Sequence, residues 1–193
     1  MEIQDAVPVD DNPHDRLNMA VAVTVAVLAT FMGICKVKDD NLCQAMQAAQ
    51  ANKLDHWNFY QARNIREEVA RSTLVQIKLG AGARPANEQA PYNVAIATYQ
   101  QVADAQEKKK NEEKDAAEQS QKEYDALNYR DDQFDLSDTL LAIAISLLAV
   151  TALTRQRWLF VAALVPIGFG VLMGLAGLFG WAVHPTALIA MLS

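Results

Sequence analysis

Three stretches of this sequence contain no charged side chain, and nearly all the charge lies between the first two of them. Leu17 to Cys35 is uncharged for 19 residues, Thr139 to Thr154 for 16, and Trp158 to Val183 for 26. At ~1.5 Å per residue, helices of these lengths rise roughly 28, 24 and 39 Å, against a bilayer core of about 30 Å. The first and third suffice alone; the second reaches the required length once Leu136, Ser137 and Asp138 are added at the interface. The overall composition, 51% hydrophobic and 21% charged with a net charge of -6, would by itself suit a soluble domain. Its uneven distribution instead predicts spans over 17–35, 136–154 and 158–183, with a polar insert over 36–135.

The first span reads as a retained anchor. The tail over 1–16 carries Glu2, Asp5, Asp10, Asp11 and Asp15 against a single Arg16, whereas a secretory signal wants a basic start and small residues before its cleavage site. Cys35 follows Ile34, where a lipid-modification signal wants a small residue. Orientation rests on the shortest connection, "TRQRW", whose Arg155 and Arg157 without any acid favour the cytoplasm. The insert is then expected on the periplasmic side of a bacterial inner membrane, with the N-terminus cytoplasmic. Lys36, Lys38 and Arg130 flank the membrane on the insert's side and argue the other way, but long loops count less in this rule.

The insert has one strong break, "GAGARPANEQAP", from Gly80 to Pro91. No glycine or proline occurs from Lys36 to Leu79 or from Tyr92 to Asp135, and both stretches are rich in helix formers. Two equal arms of 44 residues with a turn over 80–91 predict an antiparallel hairpin. The second arm carries a line spaced alternately by three and four residues: Ile96, Tyr99, Ala103, Gln106, Lys110, Glu113, Ala117, Ser120, Tyr124, Leu127, Asp131 and Phe134. Leu42, Met46, Ala49, Tyr60, Ala70, Leu74 and Ile77 form a matching line on the first, so a coiled coil is expected. Asp104 with Lys108 and Glu118 with Lys122 are expected to pair along the helix, worth ~0.2–0.5 kcal/mol each.

In an even register Trp57 faces Lys114 and Tyr60 faces Asn111. The segment "DHWNFYQARNIREE" spreads Trp57, Phe59, Tyr60 and Ile65 over more than one helix face, beyond what one partner helix covers. Either the rings lie on lysine stems or they contact a partner or subunit. In the third span Gly170, Gly174, Gly177 and Gly180 form a smooth face for close helix packing, within the bundle or between subunits. Ala22, Ala26, Ala29, Thr30 and Gly33 make a similar surface on the first. Pro166 is placed to kink the third span, and Trp158 and Trp181 suit the two membrane interfaces.

The blocks "VAVTVAVLATFMGICKVKDDN", "DHWNFYQARNIREE" and "TALTRQRWLFVAALV", in that order, resemble a family of small bacterial three-span membrane proteins catalogued as a domain of unknown function. The resemblance covers Leu17 to about Ala182. It implies three spans and a helical insert, and assigns no residue a catalytic role.

The reactive inventory is small: Cys35, Cys43, His14, His56 and His184. On one helix Cys43 and His56 are ~20 Å apart in rise and form no dyad within a protomer. Cys35 and Cys43, ~12 Å apart, are too far for a mutual disulfide; a disulfide between protomers stays open. Asp39 and Asp40 read as solvated charge at a membrane exit. With no metal or nucleotide motif, no cofactor, no metal and no enzymatic activity are expected. The uncharged cores of the three spans hold no charged residue for a proton or ion path, with Asp138 and His184 just outside them.

The sequence therefore reads as an all-α membrane protein, three transmembrane helices with a long antiparallel helical hairpin between spans one and two. Its expected role is a non-catalytic scaffold or homo-oligomeric assembly protein, with the lipid bilayer and a second copy or another membrane protein as partners and no nucleic acid. An accessory subunit or assembly factor of a larger membrane enzyme comes second, and an oligomeric channel third.

Overall fold

The computed structural model describes residues 13–183 of the chain. Most of the expected acidic tail over 1–16, the side chain of His14, and the 184–193 tail with His184 lie outside the described residues. The chain forms α1 (Pro13–Gly82), a short 3-10 turn (Ala86–Glu88), α2 (Ala90–Thr154) and α3 (Arg157–Phe179), and there is no strand among the described residues. All three long helices are long and apolar enough to cross a membrane. Neither α1 nor α2 breaks where an apolar run meets an arm of the insert, because nothing in the sequence stops a helix there.

The turn is shorter than the expected 80–91. Helix α1 continues through Gly80 to Gly82, since glycine weakens a helix by only ~1 kcal/mol. Pro91 sits in the first turn of α2, where a missing N–H is no loss. The break is made by Pro85, extended at φ -64° and ψ 154° before the 3-10 turn. Likewise α3 runs through Pro166 as one helix.

The described residues divide into two compact units, one from 13–43 with 127–183 and the other Gln44–Ala126. In the first, Val21 and Leu28 of α1, Leu141 and Leu148 of α2 and Ala163 of α3 are buried together, with Phe31, Ile145, Phe160 and Val171 around them. A second cluster joins Cys35, Leu42 and Phe134.

The glycines of α3 let it approach the other two helices. A Cβ at Gly170 would stand 2.9 Å from the Leu141 side chain, at Gly174 2.7 Å from the Phe31 ring, and at Gly177 2.9 Å from the Phe134 ring. Ser137 reinforces the approach by donating to the Gly170 carbonyl at 2.8 Å. Three of the four expected packing glycines thus serve contacts within one protomer. Gly180 has a different role: at φ 69° it closes the helix in the left-handed conformation, and no atom would lie within 4 Å of its Cβ. Ala22, Ala26, Ala29, Thr30 and Gly33, the small face of the first span, remain exposed.

In the second unit the arms run antiparallel. Of the positions expected to face the partner arm there, Ala49, Ala70, Leu74, Ala103 and Ala117 are buried, and the polar members between them are half-buried or, like Ser120, buried. Tyr99 lies at the edge, 37% exposed. Lys108 and Glu118 pair along the helix with Glu112 and Lys114, not with the expected Asp104 and Lys122. Asp104 instead accepts from Gln100.

Candidate functional site

Helix geometry lines up the polar groups at the base of the first unit. Lys36, Asp39 and Cys43 on α1 are spaced by three and four residues and so share a face; Asp131, Asp135 and Asp138 on α2 follow the same rule. The Lys36 ammonium donates to Asp39 Oδ2 at 2.8 Å and lies 3.5 Å from exposed Asp40. The hydrogen bond to Asp39 holds the Lys36 ammonium above its usual pKa range. Across the helix pair, the Cys43 thiol donates to Asp131 Oδ1 at 3.4 Å. Asp39, Cys43 and Asp131 each place one ligand-capable atom within 4.8 Å of the others.

Burial governs the chemistry of this cluster. Asp39 is only 4% exposed, and its Oδ1 is buried without a hydrogen-bond partner. Desolvation, opposed by the Cys43 hydrogen bond and reinforced by Asp39, raises the Asp131 carboxyl above the usual carboxylate range. Desolvation and the Asp131 contact push the Cys43 thiol up to about 11. It is therefore a protonated thiol at neutral pH, not an exposed nucleophile.

The same stretch of α2 holds the end of α3. Arg130 donates to the Gly177 carbonyl through Nε at 3.3 Å and Nη2 at 2.8 Å, while Gln133 Nε2 donates to the Trp181 and Val183 carbonyls at 2.9 and 2.6 Å. A cation at a helix C-terminus meets both its free carbonyls and the negative end of its dipole. Arg130→Met is expected to fray the last turn of α3, raising amide exchange over residues 177–183 roughly tenfold, the equivalent of about 1.4 kcal/mol of local opening.

In the hairpin the polar middle is an ion-pair network. Buried Glu67 accepts from Arg71 Nε at 2.7 Å and pairs with Lys110 Nζ at 2.6 Å; Arg71 also reaches Glu107 at 2.9 Å. Arg63 donates to Gln106 at 3.3 Å, and His56 pairs with Glu113 at 2.8 Å, two residues from the Asp115 that the even register sets opposite it. The four residues expected at a partner contact separate. Trp57 and Tyr60 are half-buried and pack edge to face, their ring centroids 5.3 Å apart, while Phe59 and Ile65 are exposed.

A family model described as a domain of unknown function (DUF4337) covers residues 17–180. The chain belongs to that family. No curated protein and no solved structure matches it. Within the DUF4337 segment lie both the Asp39, Cys43 and Asp131 cluster and the Glu67 network, along with Phe59 and Ile65. Sequence reasoning passed over the cluster because Asp39 and Asp40 look alike in a list of residues. Only their position on the helix separates buried Asp39 from exposed Asp40, and the regular spacing of Asp131, Asp135 and Asp138 was the available signal.

Proposed function

We propose that this DUF4337 protein is a three-span membrane protein whose hairpin is a non-catalytic assembly element that joins copies of the chain into a homo-oligomer. The carrying observation is the outward side of α1 in the hairpin. Leu54, Ile65, Val69 and Leu79 point away from buried Ala49, Glu67, Ala70 and Leu74, and are 55 to 72% exposed. Leu54, Ile65 and Leu79 recur at about three and then four helical turns, which keeps them on one side. Ile65 and Val69, one helical turn apart, make the contiguous part of this face and are the contact assigned to a second copy. The hairpin's buried carboxylate, by contrast, is engaged across the arms, Glu67 with Lys110.

The membrane reading draws on the same pattern at the other end. Val23, Val27 and Ile34 of α1, and Val161, Val165 and Phe169 of α3, face outward where lipid would solvate them. Arg155 and Arg157 at the junction of α2 and α3 favour a cytoplasmic side, leaving the hairpin periplasmic in a bacterial inner membrane.

Extraction in mild detergent, followed by native mass measurement with identification of every co-eluting chain, tests this function. The wild type is expected at a discrete multiple of 21.2 kDa. Ile65→Lys with Val69→Lys is expected to shift it to smaller species without loss of helicity. A monomeric wild type overturns the proposal, and a particle built mainly of other chains makes the protein an accessory subunit instead.

A further inference from the structure

We propose that Asp39, Cys43 and Asp131 form a binding site for one zinc-class divalent cation at the root of the hairpin. The three groups come from two helices, Asp39 and Cys43 one turn apart on α1 and Asp131 opposite them on α2, and their ligand atoms lie within 4.8 Å of one another. A tetrahedral zinc with sulfur at about 2.3 Å and oxygen at about 2.1 Å holds those two atoms about 3.6 Å apart. Cys43 Sγ and Asp131 Oδ1 already stand 3.4 Å apart. The third ligand atom, on Asp39, lies within 4.8 Å of both.

The second observation is the unsatisfied oxygen. The Asp39 side chain is 6% exposed, Lys36 occupies Oδ2, and Oδ1 is buried without a hydrogen-bond partner. A buried carboxylate oxygen left bare is destabilising, and a bound cation removes that penalty. The donor set decides the class of ion. One sulfur and two oxygens suit zinc and its neighbours, whereas calcium and magnesium take more oxygens and avoid thiolate. On binding, the Cys43 thiol gives its proton to solvent and the thiolate becomes the ligand; the fourth position is left to water. The site does not depend on the hairpin's role in assembly.

Cobalt(II) reports the geometry by its spectrum. The full-length protein, purified in detergent with a tag free of histidine and a phosphine reductant, is titrated with cobalt and then with zinc. The expected result is one cobalt per chain with a sulfur-to-cobalt charge-transfer band, displaced by equimolar zinc and unaffected by excess magnesium. Cys43→Ser removes the band, Cys35→Ala keeps it, and the isosteric Asp39→Asn lowers affinity at least roughly tenfold with unchanged helicity. Absence of the band in the wild type, its survival in Cys43→Ser, or an unchanged affinity in Asp39→Asn overturns the site. Should Cys43→Ser unfold, Asp39→Asn and Asp131→Asn decide by affinity alone.

Discussion

Replacing Gly174 with valine is expected to destabilise the three-helix unit by about 2–3 kcal/mol, read as an earlier thermal loss of near-ultraviolet dichroism in mild detergent. A Cβ at this position would stand 2.7 Å from the Phe31 ring and 2.8 Å from the Ser137 hydroxyl. Neither neighbour moves easily. Ser137 is fully buried and held by its hydrogen bond to the Gly170 carbonyl, and Phe31 packs against both apolar clusters of the unit. In the bilayer proposed above, lipid tails are as apolar as the side chains, so the helices gain little from the hydrophobic effect. Their association rests on close contact, which the extra methyls prevent. Gly177→Ala, meeting the buried Phe134 ring at 2.9 Å, is expected to act in the same direction by about 1 kcal/mol. Gly33→Ala is the control. Nothing lies within 4 Å of its Cβ, and the bundle should be unchanged or slightly firmer. A Gly174→Val protein that keeps its thermal midpoint while changing its native mass would move the glycine face to a subunit boundary and refute the packing described above.

Much of this architecture was legible because it follows from what is missing. Long runs without glycine or proline cannot easily end a helix, and so the two arms and the break between them were visible at once. The facing line on the second arm was legible for the same reason, since Ala103 and Ala117 fall on it at a regular spacing and both are fully buried. The ends of the turn were less so. Gly80 and Gly82 are weak stops, and Pro91 is harmless in a first helical turn, so neither marks a boundary. The spacing of the glycines marks a smooth surface, but the folded structure alone shows that Leu141, Phe31 and Phe134 fill it and that Gly180 serves as a cap. Side-chain pairing was hardest to foresee. Composition cannot tell that Glu67 turns inward to Lys110 while Glu68 next to it faces out, or that Asp39 is buried beside Cys43 while Asp40 is not. Those facts depend on rotation about the helix axis, where one residue changes the direction by about 100°.

Lys110→Met is expected to weaken the hairpin by about 2–3 kcal/mol, measured as faster amide exchange across residues 44–126, and Glu67→Met with Lys110→Met to recover most of that loss. The asymmetry arises from burial. The Glu67 side chain is 5% exposed, so removing the ammonium leaves a charged carboxylate in the interior with Arg71 alone to hold it. Lys110 is 18% exposed, and its flexible stem can carry the charge to water when Glu67 is absent. Glu67→Met alone should therefore cost less than Lys110→Met alone, and the double replacement less than the two together, a non-additivity of at least about 1 kcal/mol. Acid provides an independent check. The hydrogen bonds from Lys110 and then Arg71 hold the Glu67 carboxyl below its usual range. A depressed folded value means that the unfolded chain takes up the proton first as pH falls. The contribution of Glu67 is thus fully present above the unfolded value of roughly 4.3 and is lost as pH descends from there toward the lower folded value. Exchange in the wild-type hairpin, corrected for the intrinsic pH dependence of amide exchange, should accelerate over that window, and the Glu67→Met hairpin should lack this component. An acid response of equal size in both would mean that the carboxylate is not held by its partners, and that the polar middle of the hairpin owes its stability to the alanines and helix propensity around it.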